Sequence, residues 1–388
     1  MVENIWLTSG LWIGLALLAS LISIRIGVSV ALIEIVVGAF GGNLLGLTPS
    51  EWVNYLAGVG AILLTFLAGT EIDPAVIRRH VWSTMSIGVV GFLAPYLGVF
   101  AYAHWVLEWP WPQAQIAGIA LSTTSVAVVY AVMVETGFNR TEIGKVILAG
   151  CFVNDIGTVL ALGVVFANYN LWLALFAVLT AIALWLLPKF VPWFFERVGE
   201  RVSEPEIKFV LLVLFLLGGL GTMAKSEAVL PAYLVGMVLA PFFLRQRDIA
   251  HRMRMIAFTI LTPFYFLKAG SLVKFETVLA AAGLIAVFLA VKMVTKFAGI
   301  WPLTRAFRFE PREGMYTTLM MSTGLTFGTI SALFGLSNGI IDRDQYTVIV
   351  TAVIGSAVVP TLIAQKWFQP SLKEVEPKSR PVAETSDD

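Results

Sequence analysis

The chain has 388 residues, of which 58% are hydrophobic and 13% are charged, and its mean hydropathy is +0.85. This composition excludes a soluble globular domain and indicates a polytopic membrane protein. The formal net charge of +1 points to no nucleic-acid partner, and the single cysteine, Cys151, excludes an intrachain disulfide framework and a multi-cysteine metal site.

Apolar runs of spanning length, separated by Gly, Pro and charged residues, predict an all-α protein with about thirteen transmembrane helices. At about 1.5 Å per residue, such runs cover the hydrocarbon core of a bilayer. The predicted extents are 5–24, 27–47, 54–71, 81–107, 113–135, 143–167, 170–187, 207–224, 227–244, 255–271, 277–301, 313–335 and 344–368.

Basic residues are distributed unevenly between the two sets of alternate loops. Most of the loop lysines and arginines fall on one side, and the other side receives only Lys225, Lys274 and Arg343. Since basic loops stay in the cytoplasm, the N-terminus is predicted outside and the C-terminus inside. We expect a multi-pass protein of a prokaryotic inner (plasma) membrane.

Three segments recur in the same order at an offset of about 200 residues, which indicates an internal repeat. The third pair aligns Asp155 with Ala357. The pairs are FLAG at 66–69 with FLKAG at 266–270, LSTTS at 121–125 with MSTGL at 321–325, and 145–160 with 347–362.

The repeated units start seven helices apart, so they face opposite ways in the membrane. This arrangement is an inverted-topology repeat, which is typical of secondary transporters. The predicted organisation is a first repeat at 1–168, a linker helix at 169–206, a second repeat at 207–368 and a disordered cytoplasmic tail at 369–388.

The helix predicted at 143–167 carries Asn154 and Asp155 near its middle, within VILAGCFVNDIGTVLALGVVFA. An aspartate at this depth costs about 2.5–3.5 kcal/mol on insertion scales, so it is rarely kept without a use. The pattern favours an ion or proton site that faces the protein interior. The alternative is that Asp155 holds two helices together by a hydrogen bond.

Two repeat-related helices carry hydroxyl and glycine residues at mid-span, in LSTTSVAV and MSTGLTFG. Hydroxyls satisfy backbone groups that an unwound stretch frees, so both helices are predicted to be discontinuous and to cross near Asp155. A cation site would then combine the carboxylate with unwound carbonyls and the hydroxyls of Thr123, Thr124 and Ser125. In the alternative, the hydroxyls bond back to their own helix and the small residues only allow close packing.

Further ionisable residues lie within or near the predicted spans. Lys296, with Lys292 one turn before it, needs a partner unless its ammonium extends to an interface. Glu34 and Glu71 are either structural or line a pathway, and Lys268 is expected to extend to the nearer interface.

These segments together resemble the monovalent cation:proton antiporters, the superfamily of sodium:proton and Kef-type potassium:proton exchangers, in its antiporter-2 branch. The resemblance implies a thirteen-helix inverted repeat with a core domain, a dimerisation domain and an elevator-like movement of the core, and hence a homodimer. The matching segments are RIGVSVALIEIVVGAFGGNLLGL, LLTFLAGTEIDP, ALSTTSVAVVYAVMVETG, ILAGCFVNDIGTV, LPAYLVGMVLAPF and PFYFLKAG.

The resemblance also implies roles for individual residues. Asp155 matches the aspartate that binds the monovalent cation and the proton, Thr123 and Thr124 fall on the unwound stretch, and Lys296 matches the buried basic residue. Asn154 stands where the electrogenic branch has a second aspartate, which resembles the electroneutral branch and leaves the partner of Lys296 open.

One carboxylate holds either a proton or a monovalent cation, so a sole carrier at Asp155 predicts electroneutral one-for-one exchange. We expect exchange of sodium, or lithium, for protons in pH homeostasis, with potassium:proton exchange as the alternative and a gated cation efflux channel as a third hypothesis. An intramembrane aspartyl protease needs two carboxylates, so no enzymatic activity is expected. The expected partners are the cation, the proton, the lipid bilayer and a second copy of the chain, with no cofactor.

Overall fold

The computed structural model of the protein describes residues 5–26, 30–70, 79–136, 138, 141–166, 171–199, 201–224 and 229–370. These residues are almost entirely helical and form the helices α1 to α17. In the part before residue 200, the helices are α1 Ile5–Ile26, α2 Val30–Leu44, α3 Glu51–Thr70, α4 Val81–Ala101, α5 Trp111–Ser122, α6 Val126–Glu135, α7 Glu142–Val165 and α8 Leu171–Val198.

The part after residue 200 continues the all-helical pattern. Short π-helical turns continue α4 at Tyr102–Val106, precede α12 at Ala257–Leu261 and extend the last helix at Ala364–Phe368. The helices are α9 Pro205–Met223, α10 Val229–Phe243, α11 Arg247–Ile256, α12 Thr262–Ser271, α13 Phe275–Ala280, α14 Ala282–Ala306, α15 Pro311–Met321, α16 Thr326–Ser337 and α17 Arg343–Ile363.

Within the described residues, nine helices are long and apolar enough to cross a membrane, and two shorter apolar helices occur at Val30–Leu44 and Pro231–Phe243. The protein is therefore a polytopic membrane protein, as its composition predicts. The nine are Ile5–Ile26, Glu51–Thr70, Val81–Val106, Glu142–Val165, Leu171–Val198, Pro205–Met223, Ala282–Ala306, Pro311–Ser337 and Arg343–Phe368.

One predicted extent is wrong. The helix expected to end at residue 187 continues to Val198 and contains Pro188 and Pro192. Proline in a membrane helix removes one backbone donor, but neighbouring groups satisfy the freed carbonyl, so the helix does not have to end there. The segment expected to begin at residue 255 is preceded by the amphipathic helix α11, because its apolar residues Ile249 and Met253 lie one turn apart and are both buried.

The buried apolar residues form one large cluster and two smaller ones. The large cluster joins α5, α7, α14, α15 and α17 through Ile119, Ile147, Ile300, Leu319 and Val353. A second cluster joins α3 with α8–α11, and a third joins α1–α3 with α12. Representative members are Leu63, Val191, Val210, Leu239 and Met253 in the second and Trp12, Ile33, Val53 and Phe264 in the third.

Two pairs of helices approach so closely that only glycine fits between their backbones. Gly38 of α2 faces the backbone of Leu267 in α12, and Gly236 of α10 faces the backbone of Phe66 in α3. A Cβ atom on either glycine would overlap that facing backbone. Small residues at contacts of this kind are how membrane helices gain dispersion energy where lipid removes the hydrophobic driving force.

Candidate functional site

The helix that carries the central aspartate is α7, at Glu142–Val165. It begins after Thr141, whose hydroxyl accepts a hydrogen bond from the backbone N–H of Gly144 at 3.1 Å. This cap satisfies one of the free donors of the first turn, and the apolar residues that follow continue the helix. Asp155 thereby lies near the middle of a 24-residue helix, where its side chain is only 1% exposed.

Two interrupted helices meet beside α7. Helix α5 ends at Ser122 and α6 begins at Val126, while α15 ends at Met321 and α16 begins at Thr326. Thr123 has extended backbone torsions, with φ −63° and ψ 151°, which ends α5. Serine, threonine and glycine in both stretches permit this local unwinding, since their hydroxyls or small size compensate for lost helical hydrogen bonds.

The two unwound stretches satisfy each other's backbone groups. The N–H of Ser125 donates to the carbonyl of Thr323 at 3.0 Å, and the hydroxyl of Thr124 donates to the carbonyl of Met321 at 2.7 Å. These bonds hold the two breaks in direct contact, because an unpaired backbone group at this depth costs several kcal/mol.

Asn154 fixes α7 to the first break. Its Oδ1 accepts a hydrogen bond from the N–H of Thr124 at 2.8 Å, and its Nδ2 donates to the carbonyl of Ser122 at 3.3 Å. Both groups belong to backbone that the interruption of α5 frees. Asn154, which is fully buried, therefore completes the hydrogen bonding of the break and uses its amide to do so.

Both lysines of α14 reach the crossing. The ammonium of Lys292 donates to the carbonyl of Thr123 at 3.2 Å and to the hydroxyl of Ser356 at 2.8 Å. The ammonium of Lys296 donates to the hydroxyl of Thr124 at 2.8 Å. Both side chains are 0% exposed, so neither extends to an interface. The partner of Lys296, which the sequence leaves open, is therefore the hydroxyl of Thr124.

Asp155 lies next to this cluster with a free acceptor. Among the described residues, no group makes a hydrogen bond with its buried Oδ1. Lys296 and Cys151 lie within electrostatic range of its carboxyl group. A buried carboxyl oxygen without a donor is costly, and this cost is offset when a cation or proton occupies the site.

The remaining hydroxyls that the sequence suggested are placed differently. The hydroxyl of Thr123 donates to the carbonyl of Ala120 on its own helix at 3.0 Å, which is the alternative considered for these residues. The hydroxyl of Ser125 lies 3.5 Å from that of Thr326. The hydroxyls of Thr124 and Ser125 therefore face the second break, whereas that of Thr123 bonds to its own helix.

Of the two further acids, the structure describes Glu34. Glu34 is 2% exposed in α2, and its Oε2 has no hydrogen-bond partner among the residues that the structure describes. Glu71 lies outside the described residues. Lys268 lies in the last turn of α12, where it lines an open cavity with residues of α3 and α16.

Ser356 was not predicted, although the sequence carries a signal for it. The repeat alignment that pairs Asp155 with Ala357 also pairs Asn154 with Ser356. Both residues lie at an unwound stretch, but the hydroxyl of Ser356 donates to the carbonyl of Val353 on its own helix at 2.7 Å and lies 3.4 Å from the carbonyl of Gly324. Tyr233 was also missed, and its hydroxyl donates to the carbonyl of Phe152 in α7 at 3.3 Å.

A helical membrane protein with a buried carboxyl group and buried lysines beside two interrupted helices has the construction of a secondary transporter. Comparison with known proteins identifies the group of transporters. Residues 13–369 match the family described as sodium/hydrogen exchanger, transmembrane. The chain belongs to this family, which confirms the resemblance to the cation:proton antiporters.

Curated relatives and a solved structure agree with this assignment. The probable Na(+)/H(+) antiporter GerT of Bacillus cereus is 23% identical over 90% of this chain and 96% of the relative. The Na(+)/H(+)-K(+) antiporter GerN of the same organism is 23% identical over 88% of this chain and 90% of the relative. The sodium proton antiporter MjNhaP1 of Methanocaldococcus jannaschii shares the fold, with a TM-score of 0.70, 17% identity and coverage of 93% of this chain and 98% of that one.

Proposed function

We propose that the protein exchanges a monovalent cation for a proton across the membrane, with Asp155 as the group that binds each in turn. The observation that carries this proposal is the buried Oδ1 of Asp155, which has no hydrogen-bond partner among the described residues. A carboxylate with a free acceptor beside helix breaks offers oxygen ligands to a hard cation, and the same oxygen takes a proton when the cation leaves.

We propose that the neighbours of Asp155 coordinate the cation and balance the charge of the carboxylate. Carbonyl and hydroxyl oxygens of Thr123, Thr124 and Ser125 lie at the first break, and we propose that they complete the coordination of the cation. Lys296, which the hydroxyl of Thr124 holds at 2.8 Å, would balance the charge of Asp155 in the empty site. Lys292 would support the crossing through the carbonyl of Thr123.

Electroneutral exchange follows from the number of acids in this cluster. The side-chain amide of Asn154 forms hydrogen bonds with the backbone of Ser122 and Thr124. Because an amide does not titrate, Asn154 supplies no second ionisable group. A single carboxylate binds either one proton or one monovalent cation. The cycle then moves one charge in each direction, and the transport rate does not depend on the membrane potential.

Sodium, with lithium, is the proposed substrate, and potassium is the second candidate. Sodium is supported by the family description and by the printed names of GerT and MjNhaP1. The name of GerN includes potassium as well as sodium. An efflux channel on the same fold is the remaining alternative, and it differs because its flux needs no proton gradient.

The finer architecture is also a proposal. We propose about thirteen crossings in two inverted repeats at 1–168 and 207–368, a linker at 169–206 and a cytoplasmic tail at 369–388. The two breaks support the repeat, because the helices that follow them begin at Val126 and Thr326, which are equivalent positions in the alignment of 121–125 with 321–325. An outside N-terminus, a prokaryotic inner membrane and a homodimer complete the proposal.

The test is ion flux in proteoliposomes that contain the purified full chain. Sodium, lithium and potassium gradients are imposed in turn, and proton movement is followed with an internal pH dye. Sodium- or lithium-driven proton flux establishes the exchange. Flux with potassium alone makes the substrate assignment wrong, and cation flux without proton movement makes the channel hypothesis correct.

A further inference from the structure

An open cavity of about 150 Å³ lies at one end of the molecule, between helices of different clusters. Asn54 contributes from the first turns of α3, Lys268 from the last turn of α12, and Ser337 and Asn338 from the end of α16. One water needs about 10–15 Å³ of space measured in this way, so the cavity holds several waters and admits a hydrated cation. In the proposed topology this end of the molecule faces the outside.

The cavity leads towards the helix that carries Asp155. Val229 of α10 and Ile330 of α16 line it, and the rings of Tyr233 and Phe327 follow one turn deeper on the same two helices. These rings meet edge to face with centroids 5.8 Å apart, and both are buried. The aromatic pair lies one helical turn beyond these lining residues, in the direction of α7, and we refer to it as the floor of the cavity.

Beneath this floor lies the candidate site. The hydroxyl of Tyr233 donates to the carbonyl of Phe152, less than one turn before Asp155 on α7. Tyr233 is also within electrostatic range of the carboxyl group of Asp155. One aromatic layer thus separates the cavity from the group proposed to bind the cation, and the cavity is positioned as the outer vestibule of the site.

Among the described residues, the charged side chain that lines this vestibule is a lysine, although the proposed cargo is a cation. Lys268 is half-buried, and none of the ion pairs within the described ranges includes it. By contrast, Lys274 at the same end of the molecule is paired with Asp344 at 2.8 Å. The field of Lys268 in the vestibule is therefore not cancelled by a described neighbour.

We propose that Lys268 is an electrostatic filter that lowers the concentration of cations in the outer vestibule and so weakens cation binding from that side only. This inference rests on the proposed function of Asp155. A fixed charge within about 10 Å of a path between low-dielectric walls changes the local ion concentration by about two- to tenfold, and salt screens the effect. Cation release to the outside is then favoured even where external cation is abundant.

The experiment measures exchange in sealed membrane vesicles of both orientations for wild type, Lys268→Gln and two controls. Lys268→Arg keeps the charge, and Lys274→Gln removes an equal charge outside the cavity. We expect Lys268→Gln to lower the half-saturating external cation concentration about two- to tenfold at low ionic strength, with a smaller effect at high ionic strength. The internal half-saturating concentration and both controls should match the wild type.

A second variant measures the same charge without relying on Lys268→Gln. Lys268→Cys is treated from outside with a cationic or an anionic thiol reagent. The wild type, treated with the same reagents, is the control, because its cysteine, Cys151, is buried. The cationic reagent should restore the wild-type external half-saturation, and the anionic reagent should lower it further. A residue with only a structural role would respond equally to both reagents.

Three results overturn the inference alone, provided that exchange still requires Asp155. These are an unchanged external half-saturation in Lys268→Gln, an equal shift on both sides of the membrane, and no reaction of Lys268→Cys with external reagents. A wild-type protein without coupled exchange overturns the proposed function instead, and the inference with it. The Asp155→Asn variant separates these cases, because it removes exchange without altering the vestibule.

Discussion

The two helix breaks are built alike and differ in charge. At the first break, Asn154 bonds to the backbone of Ser122 and Thr124, and the next residue of α7 is Asp155. At the second, Ser356 lies 3.4 Å from the carbonyl of Gly324, and the next residue is Ala357. A polar residue therefore lies at each break, although the shorter bond of Ser356 is to Val353 of its own helix at 2.7 Å, whereas the acid lies at one break only.

This difference distinguishes residues that stabilise an interrupted helix from a residue that would bind the cation. A group needed only to stabilise an interrupted helix is expected at both breaks, and Asn154 and Ser356 fit that description. A group needed to bind one cation is required once. The comparison therefore indicates a supporting role for Asn154 and Ser356, and it favours Asp155 as the proposed ion-binding group.

Asn154→Ala should give the largest loss of stability. It leaves the N–H of Thr124 and the carbonyl of Ser122 unpaired in a buried site, at a cost of about 2–4 kcal/mol. The measurement is thermal unfolding of the purified protein in detergent. Asn338→Ala is the matched control, because within the described residues the exposed amide of Asn338 bonds to its own helix. Equal stabilities for the two variants would remove the supporting role from Asn154.

Ser356→Ala should have a smaller effect at the second break. It removes the hydroxyl that accepts from Lys292 at 2.8 Å, while the carbonyl of Thr123 still accepts from the same ammonium. We expect a loss of about 1.5–3 kcal/mol, typical of a hydrogen bond to a charged group. The control is Ser331→Ala, since the hydroxyl of Ser331 bonds to its own helix at Phe327. A loss no greater than that of the control would contradict the equivalence of the two breaks.

Competition between proton and cation at Asp155 predicts a pH dependence of apparent affinity. Where the proton dominates the site, each unit of pH decrease should raise the half-saturating cation concentration about tenfold, because the cation needs the ionised carboxyl group. At high pH the value should become constant. Initial rates at several cation concentrations and pH values measure this relation, and a half-saturation independent of pH would exclude a shared site.

Thr124→Val should have a smaller effect than the changes above. Comparison with Thr123→Val separates the roles of the two neighbouring hydroxyls. The hydroxyl of Thr124 connects Lys296 to the carbonyl of Met321, whereas that of Thr123 bonds back to Ala120. Loss of the former should cost about 1 kcal/mol, or about a fivefold lower exchange rate, because Lys296 keeps its attraction to Asp155. Thr123→Val should remain within twofold of wild type. The same loss in both variants would show that the hydroxyls act only through packing.

Much of the fold follows from local features of the sequence. Apolar runs locate the helices because lipid requires every backbone group to be satisfied within a helix. The hydroxyl-rich stretches LSTTS and MSTGL locate both interruptions for the same reason. The end of α8 was not predictable from Pro188, because the cost of a proline depends on which neighbours satisfy the freed carbonyl.

The buried acid of the candidate site could be predicted from the sequence, but not all the residues that form hydrogen bonds around it. Asp155 is evident because a mid-membrane charge is costly, and the repeat alignment marks Ser356 opposite Asn154. The bonds of Lys292 and Lys296 were not predictable, because they depend on the rotation of α14 towards the crossing. Periodicity leaves that rotation undetermined when every face of a helix is apolar.

The most direct test of the account compares wild type with Asp155→Asn in proteoliposomes, with the membrane potential clamped and unclamped. The amide keeps the size of the side chain and cannot alternate between a proton and a cation. The account predicts cation-driven proton flux in wild type at a rate that clamping does not change, and no coupled flux in Asp155→Asn. Continued exchange in Asp155→Asn, or a wild-type rate that follows the potential, would contradict one-for-one exchange at this carboxyl group.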